Sequence, residues 1–206
     1  MNQNLFFTPT DILLPAHADM RRWSVIACDQ FTADAGYWQA VQDTVGDAPS
    51  TLRLMLPEFY LGKCDEAAAT REIQQTMRRY LDDGVFRTVP HSLVLVQRTL
   101  PGGTVRCGIV GALDLEAYDY APDSVTPIRA TEGTVASRLP ARVRIRAAAA
   151  LEMPHIMVFY SDPEDTIRRE AQAAAGETLY DFDLMSGGGH VRGLRIAGAK
   201  ADVLAA

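Results

Sequence analysis

The chain has 206 residues, of which 48% are hydrophobic and 22% are charged, and its formal net charge is −6. This composition is typical of a globular domain that buries a core without disulfides or a structural metal. The acidic balance argues against general nucleic-acid binding. No apolar run approaches the roughly 20 residues of a membrane helix, so we expect no membrane segment.

The cysteines indicate the compartment. Cys28, Cys64 and Cys107 lie far apart and form no CxxC pair, which supports neither a zinc knuckle nor a disulfide framework. Free thiols fit a reducing compartment, and we predict a cytoplasmic protein. The sequence also lacks HExxH, GxSxG and GxxxxGK[ST] strings, so we predict no metal site, no α/β-hydrolase site and no P-loop.

In the first half of the chain, strands and helices are predicted to alternate. The apolar run Val25–Cys28 predicts a buried strand, and a helix with apolar residues at helical spacing follows and ends at Gly46. Thr51–Leu56 predicts a second strand. Asp65 is a capping residue that opens a long amphipathic helix, which Gly84 closes.

The clearest local signal is a β-hairpin. Ser92–Leu100 and Thr104–Leu115 are rich in β-forming residues and flank the turn Pro101–Gly103. Gly108 and Gly111 in the second arm indicate a bulge or a close backbone approach.

The second half is predicted to contain both helices and strands. Thr131–Arg146 is predicted to be partly helical, with Pro140 breaking the helix, and a helix capped near Asp162 is expected to run to about Ala175. Three further strands are predicted, at His155–Tyr160, Thr178–Leu184 and Val191–Ile196.

Together these elements predict an α+β fold of the α/β type. We expect a mixed, largely antiparallel β-sheet with helices packed on it. A single globular domain is predicted over residues 1–196, and the small-residue-rich segment 197–206 is predicted to be a flexible tail.

The segment from Ile128 to Arg146 is the strongest candidate for a functional site. It carries five arginines and a single acidic residue in an otherwise acidic chain, and such contrast attracts anions. Guanidinium groups bind phosphate and carboxylate through paired donors. We therefore predict an anion site with the following members: Arg129, Thr131, Thr134, Arg138 and Arg142 as ligands, and Glu132 as the catalytic group.

Glu132 has three possible roles in that site: it orients an arginine, holds a metal or acts as a base. A helix starting near Thr131 would also direct backbone N–H groups at the anion. A structural alternative remains open, because Arg142, Arg144 and Arg146 alternate with apolar residues as on the solvated face of a strand or a fraying helix.

A glycine run forms the second candidate site. Gly187–Gly189 precedes His190 and Arg192, and glycine-rich backbone binds phosphate through its N–H groups, so His190 is predicted as an anion ligand. The run lies between two predicted strands and matches no nucleotide fingerprint. The alternative is a flexible hairpin turn with a half-exposed histidine.

Two weaker candidates are Cys28-Asp29-Gln30, just after a predicted strand, and His155 at the start of another. For Cys28 the alternative is a buried structural thiol. For His155 the alternative is a hydrogen-bonded structural group.

Seven strings, in order, resemble the bacterial and archaeal family known as domain of unknown function 1015 (DUF1015). They are Trp23–Gln30, Gly46–Arg53, Gly111–Tyr120, Ile128–Thr134, Pro154–Met157, Leu179–Asp183 and Gly187–His190. The resemblance extends from about Phe6 to about Ile196 and covers nearly the whole chain.

The resemblance implies a function by analogy. Members are usually about twice this long, and their later half carries an Asp-Gly-Asn-His or Asp-Gly-His-His string that is absent here. That string looks like the ligand loop of the ParB and sulfiredoxin superfamily, some of whose members handle nucleotides or phosphorylate free serine. The implied function is a phosphate- or nucleotide-binding small-molecule enzyme that performs phosphotransfer, with nucleotide and magnesium as cofactors.

The implied partner is a small anionic metabolite, and nucleic acid is not expected. The chain is expected to match the N-terminal half of the family, so it either pairs with the missing C-terminal half or forms a homo-oligomer. Two other functions stay open: a non-catalytic ligand-binding or regulatory module, and a structural or assembly domain.

Overall fold

The computed structural model describes residues 6–27, 31, 33–131, 133, 135–153 and 155–205. The helices are α1 (Met20–Trp23), α2 (Ala35–Val45), α3 (Glu66–Asp82), α4 (Leu139–Arg146), α5 (Thr166–Ala174) and α6 (Ala199–Ala205). The strands are β1 (Phe7–Thr8), β2 (Thr10–Pro15), β3 (Phe86–Thr99), β4 (Val105–Val110), β5 (Ala112–Leu113), β6 (Tyr118–Asp119), β7 (Ile128–Arg129), β8 (Thr178–Asp183) and β9 (His190–Ala197).

The central sheet has five antiparallel strands built around β3. The strand order is β2-β3-β9-β8, and β4 also pairs with β3. The 14-residue β3 pairs first with β2 and then with β4 along one edge, while β9 pairs along the other edge. Two short pairs lie apart from it: β1 with β5, antiparallel, and β6 with β7, parallel. The predicted α+β fold with a mixed, largely antiparallel sheet is confirmed.

Helices cover one face of the sheet at one end. Leu93, Leu95 and Ile196 project from β3 and β9 and are fully buried against Ala171 of α5 and Ala201 of α6. Small residues at these helix positions allow the helices to approach the sheet closely.

A second hydrophobic core forms around α3. Asp65 accepts hydrogen bonds from the backbone N–H groups of the first turn, and Ile73, Met77 and Tyr80 form the buried stripe of the helix. They pack against Trp23 and Leu54. A third core surrounds α2 and includes Met185, which lies beside the glycine run.

Several predicted elements are confirmed. The helix that ends at Gly46 corresponds to α2, and the helix between Asp65 and Gly84 corresponds to α3. The predicted hairpin is formed by β3 and β4. All three are encoded by local signals: an aspartate cap at the start of each helix and a glycine-containing turn between the strands.

Other predictions were wrong for identifiable reasons. Thr51–Leu56 contains a 3₁₀ turn over Thr51–Leu54, because the Ser50 side chain accepts a hydrogen bond from the backbone N–H of Leu52 and caps the turn. Pro140 does not break α4 but lies in its first turn, where the missing N–H costs no hydrogen bond.

The prediction of a buried strand at His155–Tyr160 was also wrong. This segment forms no strand, and its apolar residues are exposed. Val25–Ala27 likewise forms no strand, while Cys28 lies outside the described residues. At the C-terminus, where the sequence predicts a flexible tail, α6 packs on the sheet through its buried Ala201.

Candidate functional site

The helical arginines of the predicted anion site contact a shared carboxylate. Arg138 ends a 3₁₀ turn and Arg142 lies four residues later on α4, so both side chains lie on the same helix face. Arg138 Nη2 lies 3.2 Å from Glu58 Oε2, and Arg142 Nη2 lies 2.9 Å from Glu58 Oε1. Both guanidinium groups are therefore committed to Glu58, whose side chain is only 22% exposed.

The next two arginines are paired in the same way. Arg144 contacts Glu66 at 2.5 Å and Arg146 contacts Glu152 at 2.5 Å. The Gln74 side chain on α3 also donates to the backbone carbonyl of Arg144. The Glu66 and Gln74 contacts attach α4 to α3, so the alternation of Arg142, Arg144 and Arg146 belongs to a docked helix rather than to a strand.

Arg129 has different surroundings. It ends β7 with an exposed side chain, and its Nε donates to the backbone carbonyl of Thr126 at 3.0 Å. Among the described residues, no carboxylate forms an ion pair with it. Thr131 is exposed two residues later, whereas Glu132 and Thr134 lie outside the described part of the chain, and their predicted roles stay predictions.

His190 forms a cluster that the sequence prediction contained only in part. Its Nδ1 lies 2.8 Å from Asp183 Oδ1, and its Nε2 lies 2.7 Å from Asp181 Oδ1. Arg21 of α1 lies 3.5 Å from Asp183, and Arg192 lies 3.5 Å from Asp181. Five charged groups of alternating sign thus follow one another; we call the central three, Asp181, His190 and Asp183, the histidine bridge.

Strand pairing explains this arrangement. Asp183 is opposite His190, and Asp181 is opposite Arg192, so all four side chains share one face of the β8–β9 pair. The next pair on that face toward α5 and α6, Leu194 with Leu95 of β3, belongs to the apolar core. The histidine bridge therefore lies where the sheet face emerges from under its helices.

Electrostatics favours the charged forms of His190 and Asp183. The hydrogen bond to Asp183, assisted by a second one to Asp181, raises the pKa of His190 above its ordinary value. In return, the hydrogen bond from His190 lowers the pKa of Asp183. The two contacts therefore favour the protonated ring, which can donate to both aspartates.

The backbone geometry of the run beside the bridge requires glycine. Gly187 and Gly189 have left-handed backbone angles, and a Cβ on Gly189 would collide with the carbonyl oxygen of Thr99. The Leu184 N–H donates to Gly189 O at 2.8 Å and closes the turn. This geometry is that of a tight hairpin turn, the alternative interpretation of the run.

The arrangement of acidic residues does not suit a metal. Asp181 and Asp183 flank the imidazole on opposite nitrogens and so do not converge with His190 on a common point. Within the described ranges, no group of three or more His, Cys, Asp or Glu side chains is placed to hold an ion. Residues 28–30, the third candidate, lie outside those ranges, and His155 is exposed.

Asp181, Asp183 and Arg21 were not predicted as site residues. A signal for the two aspartates exists, because they occupy alternate positions in one hairpin arm while His190 and Arg192 occupy alternate positions in the other. A tight turn between the arms aligns the two pairs. Arg21 has no such signal, since it comes from a helix far away in sequence.

A comparison with family models decides the relationship. The model described as "Protein of unknown function (DUF1015)" matches residues 9–203. The chain belongs to the DUF1015 family. The match covers nearly the whole chain, while the expected correspondence to the first half of longer DUF1015 members stays a prediction. No curated protein and no solved structure matches the chain.

Several strings that resemble DUF1015 meet in space. Thr51 and Ser50 of the second string donate to the carbonyl of Trp23 in the first string, at 2.8 and 3.1 Å. Ile26 of the first string lies against Gly188, so closely that a Cβ at position 188 would overlap it. The glycine run beside the histidine bridge thus contacts a string that lies far away in the DUF1015 sequence.

The described helices of this DUF1015 protein do not have the length and composition of membrane spans. The longest one described, α3, has 17 residues and carries several charged side chains, and no described helix is long and apolar enough to cross a bilayer.

Proposed function

We propose that this DUF1015 protein binds a small anionic metabolite, either a phosphate ester or a nucleotide. We further propose that it functions as part of an enzyme that acts on small phosphorylated molecules. The observation that carries the proposal is the state of Arg129. It is exposed, its Nε is anchored on a backbone carbonyl, and it has no carboxylate partner among the described residues. The other four arginines of the segment are neutralised by glutamates.

The chemistry of Arg129 suits such a ligand. With Nε occupied, the two Nη groups supply a pair of donors that match two oxygens of a phosphate. The exposed Thr131 lies two residues away and adds a hydroxyl donor. A nucleotide would bring magnesium bound to its own phosphates, as is usual for that ion. Glu132, next in sequence, is the proposed general base, and Arg138 and Arg142 contribute only after exchanging Glu58 for the ligand.

Arg129→Ala is expected to weaken phosphate-ester binding at least tenfold, because it removes a charge-assisted pair of hydrogen bonds worth about 1.5–3 kcal/mol. The measurement is a thermal-shift titration with ATP, ADP, phosphate, phosphoserine and serine, each with and without magnesium. For the wild type, ligand at about 100 times its dissociation constant stabilises by roughly 2.7 kcal/mol, a shift of several degrees.

Arg169→Ala is a matched control. Arg169 is also exposed, and its Nε also donates to a backbone carbonyl, that of Asp165, at 3.1 Å. It lies on α5 and is outside the proposed site. Wild-type affinity in Arg129→Ala, or an equal loss in both variants, would contradict a role for Arg129.

The exposed segment after α4 favours a second candidate function, association with another polypeptide. Ile156, Met157, Val158, Phe159 and Tyr160 are consecutive and are 63%, 78%, 47%, 76% and 53% exposed. A contiguous apolar stretch of this kind is typical of a surface that another chain covers. Its strand-like composition suits β-strand addition, either with a different polypeptide or with a second copy.

Phe159→Asp is expected to abolish self-association if a second copy covers the segment, because a charge in an apolar strand pair is not solvated. Sedimentation velocity over a wide concentration range measures it. Val125→Asp serves as control, since Val125 is 92% exposed and lies outside the segment. A wild-type protein that stays monomeric at every concentration would exclude the second copy as the partner.

A further inference from the structure

We propose that His190 makes the glycine-rich end of the β8–β9 hairpin pH-sensitive: the imidazolium holds both carboxylates of β8, and loss of its proton releases one of them and loosens the turn. This inference is independent of the proposed function. It assigns a conformational role to a residue for which the sequence predicts anion binding.

The count of protons supports the inference. Both ring nitrogens of His190 are within hydrogen-bond distance of a carboxylate, at 2.8 Å for Asp183 and 2.7 Å for Asp181. Carboxylates only accept hydrogen bonds, and a neutral imidazole has a single N–H to donate. The neutral ring would therefore face one carboxylate with a lone pair, and that aspartate would turn away.

The charged groups around His190 define where the released carboxylate goes. Asp181 and Asp183 face it from β8, Arg192 from β9 and Arg21 from α1. Each aspartate already has an arginine 3.5 Å away, a longer contact than its bond to His190. When the ring is neutral, the network separates into two arginine–aspartate pairs with no link between them.

The position of the bridge connects this change to the backbone. Asp183 directly precedes Leu184, and His190 directly follows Gly189, so their hydrogen bond closes the base of the turn beside the Leu184 N–H to Gly189 O bond. Within the turn, Ser186 has a left-handed backbone angle of φ 54°, which is unfavourable for a residue with a side chain. A turn that contains strain depends on the contacts at its base.

The direction of the pH effect follows from the two pKa shifts. Because the pKa of His190 is raised, its contribution to stability is complete below the ordinary histidine value of about 6.5 and is lost as the pH rises through the raised pKa. The pKa of Asp183 is lowered, so its contribution is complete above about 3.9 and is lost as the pH falls through the lowered pKa. The hairpin end is therefore closed at mildly acidic pH and opens above it.

Proton NMR titration of the His190 ring, with amide hydrogen exchange of Leu184 and Gly188 over the same pH range, tests the inference. The expected result is a His190 pKa above 6.5, together with a several-fold loss of turn protection, after correction for intrinsic exchange, at the same midpoint. Asp183→Asn and Asp181→Asn should each lower that pKa. In His190→Gln the turn protection should no longer depend on pH in this range.

His91→Gln is the control, because His91 forms a similar 2.8 Å pair with Asp202 far from this turn. It should leave the exchange of Leu184 and Gly188 unchanged. A His190 pKa at or below 6.5, or turn protection that does not follow its titration, would overturn the inference. The wild-type titration alone decides this, so the outcome does not depend on whether the aspartate variants fold.

Discussion

Gly111→Ala is expected to destabilise the fold by about 2 kcal/mol and to lower Tm by roughly 4–8 °C. A Cβ at this position would lie 2.6 Å from Leu93 Cδ2, 2.6 Å from Phe7 Cζ and 2.8 Å from the carbonyl oxygen of Thr8. Leu93 is fully buried, and the Thr8 oxygen belongs to β1, so neither neighbour moves without disturbing the core or the β1–β5 pair.

Gly108→Ala is the matched control in the same hairpin arm. A Cβ there would meet nothing within 4 Å, and we expect no loss of stability, or a small gain through the restricted unfolded chain. Thermal and denaturant unfolding of both variants measures the difference. Equal stability of the two would mean that the N-terminal strand does not pack across Gly111 in solution.

Glu58→Gln is expected to act in opposite directions on stability and on ligand affinity. Loss of the carboxylate removes two ion pairs that dock α4, Arg138 at 3.2 Å and Arg142 at 2.9 Å, at a cost of about 1–2 kcal/mol. The same change removes the carboxylate that competes with an anion for both guanidinium groups. If the arginine segment binds anions, phosphate affinity should rise by about tenfold.

Calorimetric titration with phosphate, together with chemical denaturation, measures both effects. Glu152→Gln is the control, since among the described residues Glu152 forms an ion pair with Arg146 alone, and its side chain is 69% exposed. A stability loss without a gain in affinity would identify Arg138 and Arg142 as structural residues. It would leave Arg129 as the arginine on which the proposed anion site depends.

The predicted elements that are correct depend on neighbouring residues. The start of α3 is encoded by Asp65, whose side chain accepts hydrogen bonds from two backbone N–H groups of the first turn. The β3–β4 hairpin is encoded by its Pro-Gly-Gly turn. β2 was missed because its apolar pattern is short and its stability comes from pairing with β3 about 80 residues away. Hydrophobic periodicity cannot report such a partner.

The candidate site was predictable to a similar degree. The arginines were identifiable from composition. Their partners Glu58 and Glu66 lie 84 and 78 residues away in the sequence, so composition alone could not show that the arginines are paired with carboxylates. His190 was also identified, although for anion binding. The exposure of Ile156–Tyr160 was not predictable, because a strand-like string carries no information on whether a partner strand is present.

The long strand β3 has a consequence for folding. Its β4 partner follows within a few residues, whereas β9, on its other edge, lies about a hundred residues later in the chain, as the Arg195 to Pro90 contact with its separation of 105 shows. Long-range pairing of this kind slows folding. During synthesis on the ribosome, the β9 edge of β3 and its apolar Leu93 and Leu95 stay uncovered until residue 197 has emerged. Aggregation of the nascent chain is therefore a hazard of this topology, and chaperone dependence should be greatest in that interval.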